Sequence, residues 1–379
     1  MMANETSAKF MPPARAVSLP LDLVRERLTG WLRARFDDDA LTITDLQTPG
    51  AAGVNNETLL LQIASSTPAL AGLGGLVVRL EAPTTLFPGF DIVSSYKCYR
   101  AFEDDPLVPT PRMFGLEADP AVLGRPFYVM ERIDGLIPAD NPTYHLSGWV
   151  RDLAVPARRQ LWENSIRTMA RVHRAPVERF AFLREMGIGT PRQQMNYWRK
   201  YLDECQSDGR ANFLLEKTWD WLVANFPADA PEGFAWGDAR VPNLIYRGTQ
   251  CVGLLDWDMV SLAGAECDLG WWLVSDIAGS AQVGRLEGLH DARGTVAIWQ
   301  DESGRQVRDM EFWIMFNLFR LGAIMIRLQG FLGALGTPPE TIKDMDRVNT
   351  AQSVLNDRWG LGSNMGLGQW SYLAPAIAG

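Results

Sequence analysis

Up to Gly135 this chain is written in short apolar runs punctuated by turn residues, and beyond it in helical repeats. No other feature restricts the available folds as much as that change. Residues 19–36 (LPLDLVRERLTGWLRARF) set Leu21, Val24, Leu28, Trp31 and Leu32 at helical spacing and predict one helix ahead of the runs. LTITDLQT at 41–48, TLLLQIAS at 58–65 and LVVRLE at 76–81 are then strand-like. Their connectors, PGAAGVNN and TPALAGLGG, are too short for a parallel crossover, so the three runs should pair antiparallel. A helix is expected over residues 91–104, followed by a second hairpin from PRMFGLEAD to RPFYVMERIDG. Helical periodicity dominates 157–174, 190–205, 210–225 and 310–335. The expected class is α+β: a small antiparallel lobe over residues 1–132, a hinge near Glu131–Gly135, and a mainly helical lobe over 133–379. A cleft between such lobes is a common place for a ligand.

Within the helical part, FAWGDARVPNLIY at 234–246 is too polar for a core strand, and Gly237 and Pro242 make it a poor helix. It reads as a turn held in one shape to aim its side chains. NLIYRGTQCVGLLDWD at 243–258 follows as a hairpin closing around Gly248, which would return Asp256 to the neighbourhood of Asn243 and Asp238. A hard cation such as Mg²⁺ takes oxygen ligands and keeps several waters, so Asn243 and Asp256 would suffice beside substrate phosphates. Asp238 is then left to orient an attacking hydroxyl and accept its proton. A base and an amide spaced D-x-x-x-x-N, followed by a metal-holding Asp, is an arrangement that phosphoryl transfer requires.

WGDARVPN and LLDWDMVSLAGAECDLGWW resemble the aminoglycoside phosphotransferase and choline kinase-like enzymes, which share the protein kinase-like bilobal fold. A loop opening with Trp where that family usually has His is similar to a bacterial branch with a WGDxR loop. The resemblance covers residues 40–275 and implies an ATP- and Mg²⁺-dependent transfer of the γ-phosphate to a hydroxyl of a small molecule. It implies Asp238 as the catalytic base and Asn243 and Asp256 as metal ligands. Arg240 counts with the catalytic residues, either facing the substrate or γ-phosphate or pairing with a nearby carboxylate. Met130 would line the adenine pocket, with backbone groups of Glu131 and Ile133 pairing with the base; Gly53, Asn55 and Asn56 would lie near the phosphates, and Arg79 would contact them. Asp258 is a second metal contact or a solvated residue, and Asp268 a support for the loop backbone. Two positions depart from the family: Ser95 stands where a Glu usually pairs with the basic strand residue, and Trp236, read as a packing residue, replaces the loop His. The first departure motivates an alternative, a nucleotide- or ligand-binding protein of the same fold that transfers nothing. Relatives act on aminoglycosides, choline, sugars, homoserine and hydroxyacyl thioesters, so the acceptor stays open.

Composition narrows the classes further. A net charge of -9 and a pI near 5.0 argue against a duplex-binding surface, which needs clustered Lys and Arg. Lysines occur only at positions 9, 97, 200, 217 and 343, so roles that usually fall to lysine are open to arginine. Cys98, Cys205, Cys251 and Cys267 form no CxxC pair, which reads as isolated thiols in a reducing compartment. The first sixteen residues lack the apolar core of a signal peptide, and Arg320 and Arg327 interrupt the apolar stretch at 312–336, which reads as a core helix. A cytoplasmic protein with a small-molecule partner, and neither a nucleic-acid nor a membrane partner, is expected. Walker GK[ST] and GxSxG are absent. Of the histidines, His173 reads as a packed or capping residue, and Trp271 and Trp272 as core.

Overall fold

A computed structural model describes residues 19–49, 56–206, 211–334, 336–342, 349–362 and 370–377. The chain divides into two compact units. The smaller takes Pro12–Gly135 and, from much later in the sequence, Val252–Asp258; the larger takes Leu136–Cys251 and Met259–Gly379.

In the smaller unit, helix α1 (Leu21–Phe36) precedes strands β1 (Thr42–Gln47), β2 (Glu57–Ala64) and β3 (Leu76–Leu80). Helix α2 (Ile92–Phe102) follows, capped by the Asp91 side chain on the Ser94 amide at 2.6 Å, and then strands β4 (Met113–Glu117) and β5 (Phe127–Glu131). The strands form one sheet in the order β1-β2-β3-β5-β4, antiparallel throughout, as the connector lengths require. Alternation buries Leu59 and Leu61 of β2 with Val78 and Leu80 of β3, and the Val24, Leu28 and Leu32 stripe of α1 covers them. Gly115 lets α1 cross β4 closely, since a Cβ there would meet the Trp31 ring at 2.7 Å. From the late segment, Trp257 stacks on Phe102 and meets Tyr99 edge-on, both at 5.4 Å between ring centres.

The larger unit is built from helices α3 (Val155–Val172), α4 (Pro191–Cys205) and α5 (Phe213–Ala224). β6 (Leu244–Arg247) and β7 (Gln250–Leu254) then form a hairpin turning at Gly248 with φ +61°, and the division between the units falls within β7, after Cys251. Helices α6 (Ala265–Ser280), α7 (Ala292–Ser303), α8 (Met310–Ala334) and α9 (Thr350–Arg358) come after it. α6 is buried on nearly every face and packs on α8. A Cβ at Gly270 would sit 2.7 Å from Asn317 Nδ2, so the glycine permits this close crossing. α8 is long and apolar enough to cross a membrane by length and composition, and 56% of its most apolar window is buried. It packs against α4, α5, α6 and α9 and buries Asn317 and Arg320 completely.

One carboxylate ties four segments of this unit together. Buried Asp276, near the end of α6, accepts from Tyr144 Oη (2.8 Å), His145 Nε2 (3.1 Å), Arg285 Nε (2.6 Å) and the Tyr372 hydroxyl. Burial alone would raise its pKa, but the His145 hydrogen bond and the Arg285 charge outweigh burial and hold it well below the ordinary 3.8. A carboxylate depressed in the folded state stabilises fully above its unfolded value, and that contribution is lost as pH falls through the folded one. Asp276→Asn is therefore expected to cost about 3 kcal/mol near neutrality. The gap between wild type and variant, read by urea unfolding, should hold above about pH 5 and shrink below about pH 4. A gap that stays constant down to pH 3 would contradict this account.

Candidate active site

The loop expected to carry chemistry is fixed from its backbone outward. Ala235 and Ser261 exchange hydrogen bonds of 2.9 and 3.0 Å, which lays the chain before the loop against the chain that follows β7. Gly237 then turns with φ +91°, so close to Met259 that a Cβ would lie 1.9 Å from its carbonyl oxygen. Asp268, wholly buried in the first turn of α6, accepts from the amides of Trp236 (2.6 Å) and Gly237 (2.8 Å). Its Oδ2 also meets His173 Nε2 at 2.8 Å. The His173 tautomer follows: Trp299 Nε1 donates to Nδ1 at 2.9 Å, so Nε2 carries the proton and donates to Asp268. His173 thus bridges Asp268 of α6 and Trp299 of α7.

Three donors converge on the Asp238 carboxylate, whose side chain is 13% exposed. Trp271 Nε1 donates to Oδ1 at 2.7 Å, and Arg240 Nε (3.0 Å) and Asn243 Nδ2 (2.7 Å) donate to Oδ2. Asn243 Nδ2 also reaches the Asp238 carbonyl at 2.9 Å, so the five-residue interval closes on itself across a single 3₁₀ turn, Val241–Asn243. With its nitrogen turned to Asp238, the Asn243 amide presents its oxygen the other way. Arg240 extends from Asp238 to Asp140, 2.6 Å from Nη1. Burial works against its charge, but Asp238 and Asp140 outweigh burial and hold the guanidinium well above its ordinary pKa. Of the two expectations for Arg240, the carboxylate pairing is the one this geometry contains.

The other candidates lie in the smaller unit. Arg79 of β3 stands directly across from Thr58 of β2 and Tyr128 of β5, so all three share one face of the sheet. It donates to Thr58 Oγ1 at 2.8 Å and bonds the Tyr128 hydroxyl. Burial opposes its charge, and Tyr128, Asp258 and Asp256 raise its pKa in return. Asn56 Nδ2 donates to both oxygens of buried Asp258 at 3.1 Å. The Ser95 hydroxyl lies 3.5 Å from Asp258 Oδ1 and 3.3 Å from the Trp257 carbonyl. The position that lacks the family's helix Glu therefore abuts a carboxylate arriving from residues 256–258. Asp258 is a buried, hydrogen-bonded residue and not the solvated one of the sequence expectation. Asp256 adopts φ +62°, a left-handed conformation uncommon outside glycine that the surrounding structure must impose.

Met130 is buried on β5. The Glu131 amide donates to the Arg112 carbonyl at 2.8 Å, so any base pairing at this edge falls to the Glu131 carbonyl and to Ile133. Gly53 and Asn55 lie outside the described residues. Trp236 is fully buried, as a packing residue should be. Trp271 corrects the sequence reading as core packing alone, because its ring is buried while its N–H serves Asp238. The available signal was spacing: Asp268 and Trp271 are three apart on α6, so one helical face carries both to the loop.

A model of the phosphotransferase enzyme family matches residues 71–304. A probable acyl-CoA dehydrogenase of Arabidopsis thaliana, IBR3, is 25% identical over an alignment of 295 residues that covers 72% of this chain and 34% of that protein. Human acyl-CoA dehydrogenase family member 11 is 27% identical over an alignment of 276 residues that covers 69% of this chain and 31% of that one. The chain thus spans about a third of the length of these curated relatives. Among solved structures, a Ralstonia eutropha JMP134 protein provisionally assigned as an aminoglycoside phosphotransferase superposes with a TM-score of 0.62 at 20% identity. The superposition covers 86% of this chain and 95% of that one, and shows the same fold, an antiparallel-sheet unit with a mainly helical one.

Proposed function

Because the chain belongs to the phosphotransferase enzyme family, we propose that it transfers the γ-phosphate of ATP to a hydroxyl of a small molecule. The observation that carries this reading is the Asp238 carboxylate, held by Trp271, Arg240 and Asn243 on a loop whose backbone Asp268 clamps. Asp238 accepts the hydroxyl proton as the acceptor oxygen bonds to the γ-phosphorus and the bond to the β,γ-bridging oxygen breaks. Held on three sides, it orients the nucleophile without reorganising, and positioning of that kind supplies most of the catalysis in phosphoryl transfer. Asn243, with its amide oxygen turned away from Asp238, and Asp256 carry oxygen donors of the kind that suits Mg²⁺. When bound, that ion would neutralise charge on the phosphates. Arg79, Asn56 and the 53–56 segment would hold the phosphates, with Met130, Glu131 and Ile133 at the base.

Ser95 does not by itself favour a protein that binds nucleotide without transferring phosphate. The acidic influence on Arg79 that a helix Glu would supply comes here from Asp258 and Asp256. For the acceptor, the relatives' names favour a hydroxylated acyl thioester over an aminoglycoside, since stretches similar to this chain sit within proteins named as acyl-CoA dehydrogenases. The test is ADP formation from Mg²⁺-ATP with hydroxyacyl-CoA esters, aminoglycosides, choline and sugars as acceptors. The hydroxyacyl esters are expected to exceed any aminoglycoside by at least about tenfold in kcat/KM, a difference of about 1.4 kcal/mol. Preference for an aminoglycoside would overturn the acceptor assignment, and nucleotide binding with no transfer to any acceptor would favour the non-transferring alternative.

A further inference from the structure

α8 buries a guanidinium whose described partners are all neutral. Arg320, 1% exposed, donates from Nη2 to the Gly237 carbonyl (3.2 Å) and from Nη1 to Asn317 Oδ1 (2.8 Å). Met259 Sδ and Cys267 Sγ lie 3.5 and 3.6 Å from the same nitrogens. The guanidinium carbon sits 4.6 Å from the Trp271 ring centre, 4.8 Å from Trp198 and 5.8 Å from Phe316. Among the described residues its Nε has no hydrogen-bond partner. A buried charge without a counter-charge costs several kcal/mol, which neutral hydrogen-bond partners offset only in part. Fold stability therefore does not account for an arginine in the middle of FWIMFNLFRLGAIMI.

Its contacts point at one residue. Gly237 precedes Asp238, and its peptide groups are gripped from both ends: Asp268 takes the N–H and Arg320 the carbonyl. The other contact is the face of Trp271, whose N–H donates to Asp238 Oδ1. A cation over an indole face draws on its π electrons, which leaves the ring N–H a stronger donor. We propose that Arg320 is a positioning residue for Asp238, setting its backbone through the Gly237 carbonyl and its carboxylate through the Trp271 indole. This rests on Asp238 being the base.

The test compares Arg320→Met, Arg320→Lys, Trp271→Phe and the double variant Arg320→Met/Trp271→Phe. Arg320→Met is expected to lower kcat by about tenfold to a hundredfold, the scale of a slightly misplaced catalytic group, with the KM for ATP changed less than about threefold. Arg320→Lys, which keeps the charge, should recover part of that loss. The double variant should lose clearly less than the product of the two single losses, because the Trp271 contact is common to both while the Gly237 contact belongs to Arg320 alone. The Trp271 indole N–H resonance, identified by its absence in Trp271→Phe, should move upfield in Arg320→Met as its hydrogen bond weakens. A kcat within about threefold of wild type, multiplicative losses, or an unmoved resonance in the folded variant would each overturn the proposal. If Arg320→Met does not fold, the same kcat, KM and resonance measurements on Arg320→Lys decide it. Asp238→Ala separates the two levels: transfer surviving in that variant refutes the base itself, while an unmoved Trp271 resonance refutes only Arg320. Were wild type to transfer phosphate to no acceptor, the resonance alone would decide the role of Arg320.

Discussion

Asp238→Ala is expected to reduce phosphate transfer by roughly 10³-fold, within the range ascribed to a positioned general base, while the Kd for ATP changes little. The split follows from where the groups sit. The residues proposed to hold nucleotide, Arg79, Asn56 and Met130, belong to the smaller unit, and Asp238 to the larger. Removing the carboxylate also takes an acceptor from Trp271, Arg240 and Asn243, of which Asn243 keeps the backbone carbonyl of residue 238, so alanine should lower stability as well. Asp238→Asn is the sharper probe: it keeps the shape and one acceptor oxygen, but cannot take the proton. Both variants should bind ATP by fluorescence titration and form ADP with acceptor at a small fraction of the wild-type rate. An asparagine variant within tenfold of wild type would remove Asp238 from the mechanism, whatever the alanine variant did.

Gly237→Ala is expected to be the most damaging single-methyl change in the loop, costing about 3–5 kcal/mol by addition of two independent penalties. The first is conformational, because φ +91° is a backbone setting that residues with a Cβ rarely adopt. The second is steric: the new Cβ would lie 1.9 Å from the Met259 oxygen and 2.2 Å from its carbon. Both are backbone atoms, tied to the loop by the Ala235–Ser261 exchange, and so cannot swing aside as a side chain would. Gly248→Ala is the internal control, since it carries a similar strain at φ +61° with nothing within 4 Å of the new methyl. Urea unfolding should place the first variant several kcal/mol below the second. Equal losses would mean that the strand edges around Gly237 yield, and that the loop is softer than its contacts suggest.

Elements whose signal is local were legible in the sequence. The runs at 41–48, 58–65 and 76–81 became β1, β2 and β3 because alternation and short connectors are decided by neighbours in the chain. The loop was legible for the same reason: Asp238 and Asn243 are five positions apart, and the Asn243 contacts that close the interval stay within it. What escaped the reading depends on partners far along the chain. Arg240 could not be resolved between its two expectations because Asp140 lies 100 residues away. Ser95 looked like a missing acid because the carboxylate beside it, Asp258, is 163 residues distant. Trp271 was hidden differently, since an indole in a buried helix has the same sequence signature whether or not its N–H is used.

The segment carrying Asp256 and Trp257 has a consequence for how the protein is made. The smaller unit is written in two instalments, with more than a hundred residues of the other unit between them. On the ribosome, the sheet and α2 emerge first, while the surface of Tyr99 and Phe102 that Trp257 covers stays open. Asn56 likewise waits for Asp258. A gene fragment ending at Gly135 would encode an open-faced sheet and not a free-standing nucleotide module. Any recombination that transplants this unit must carry the later instalment with it.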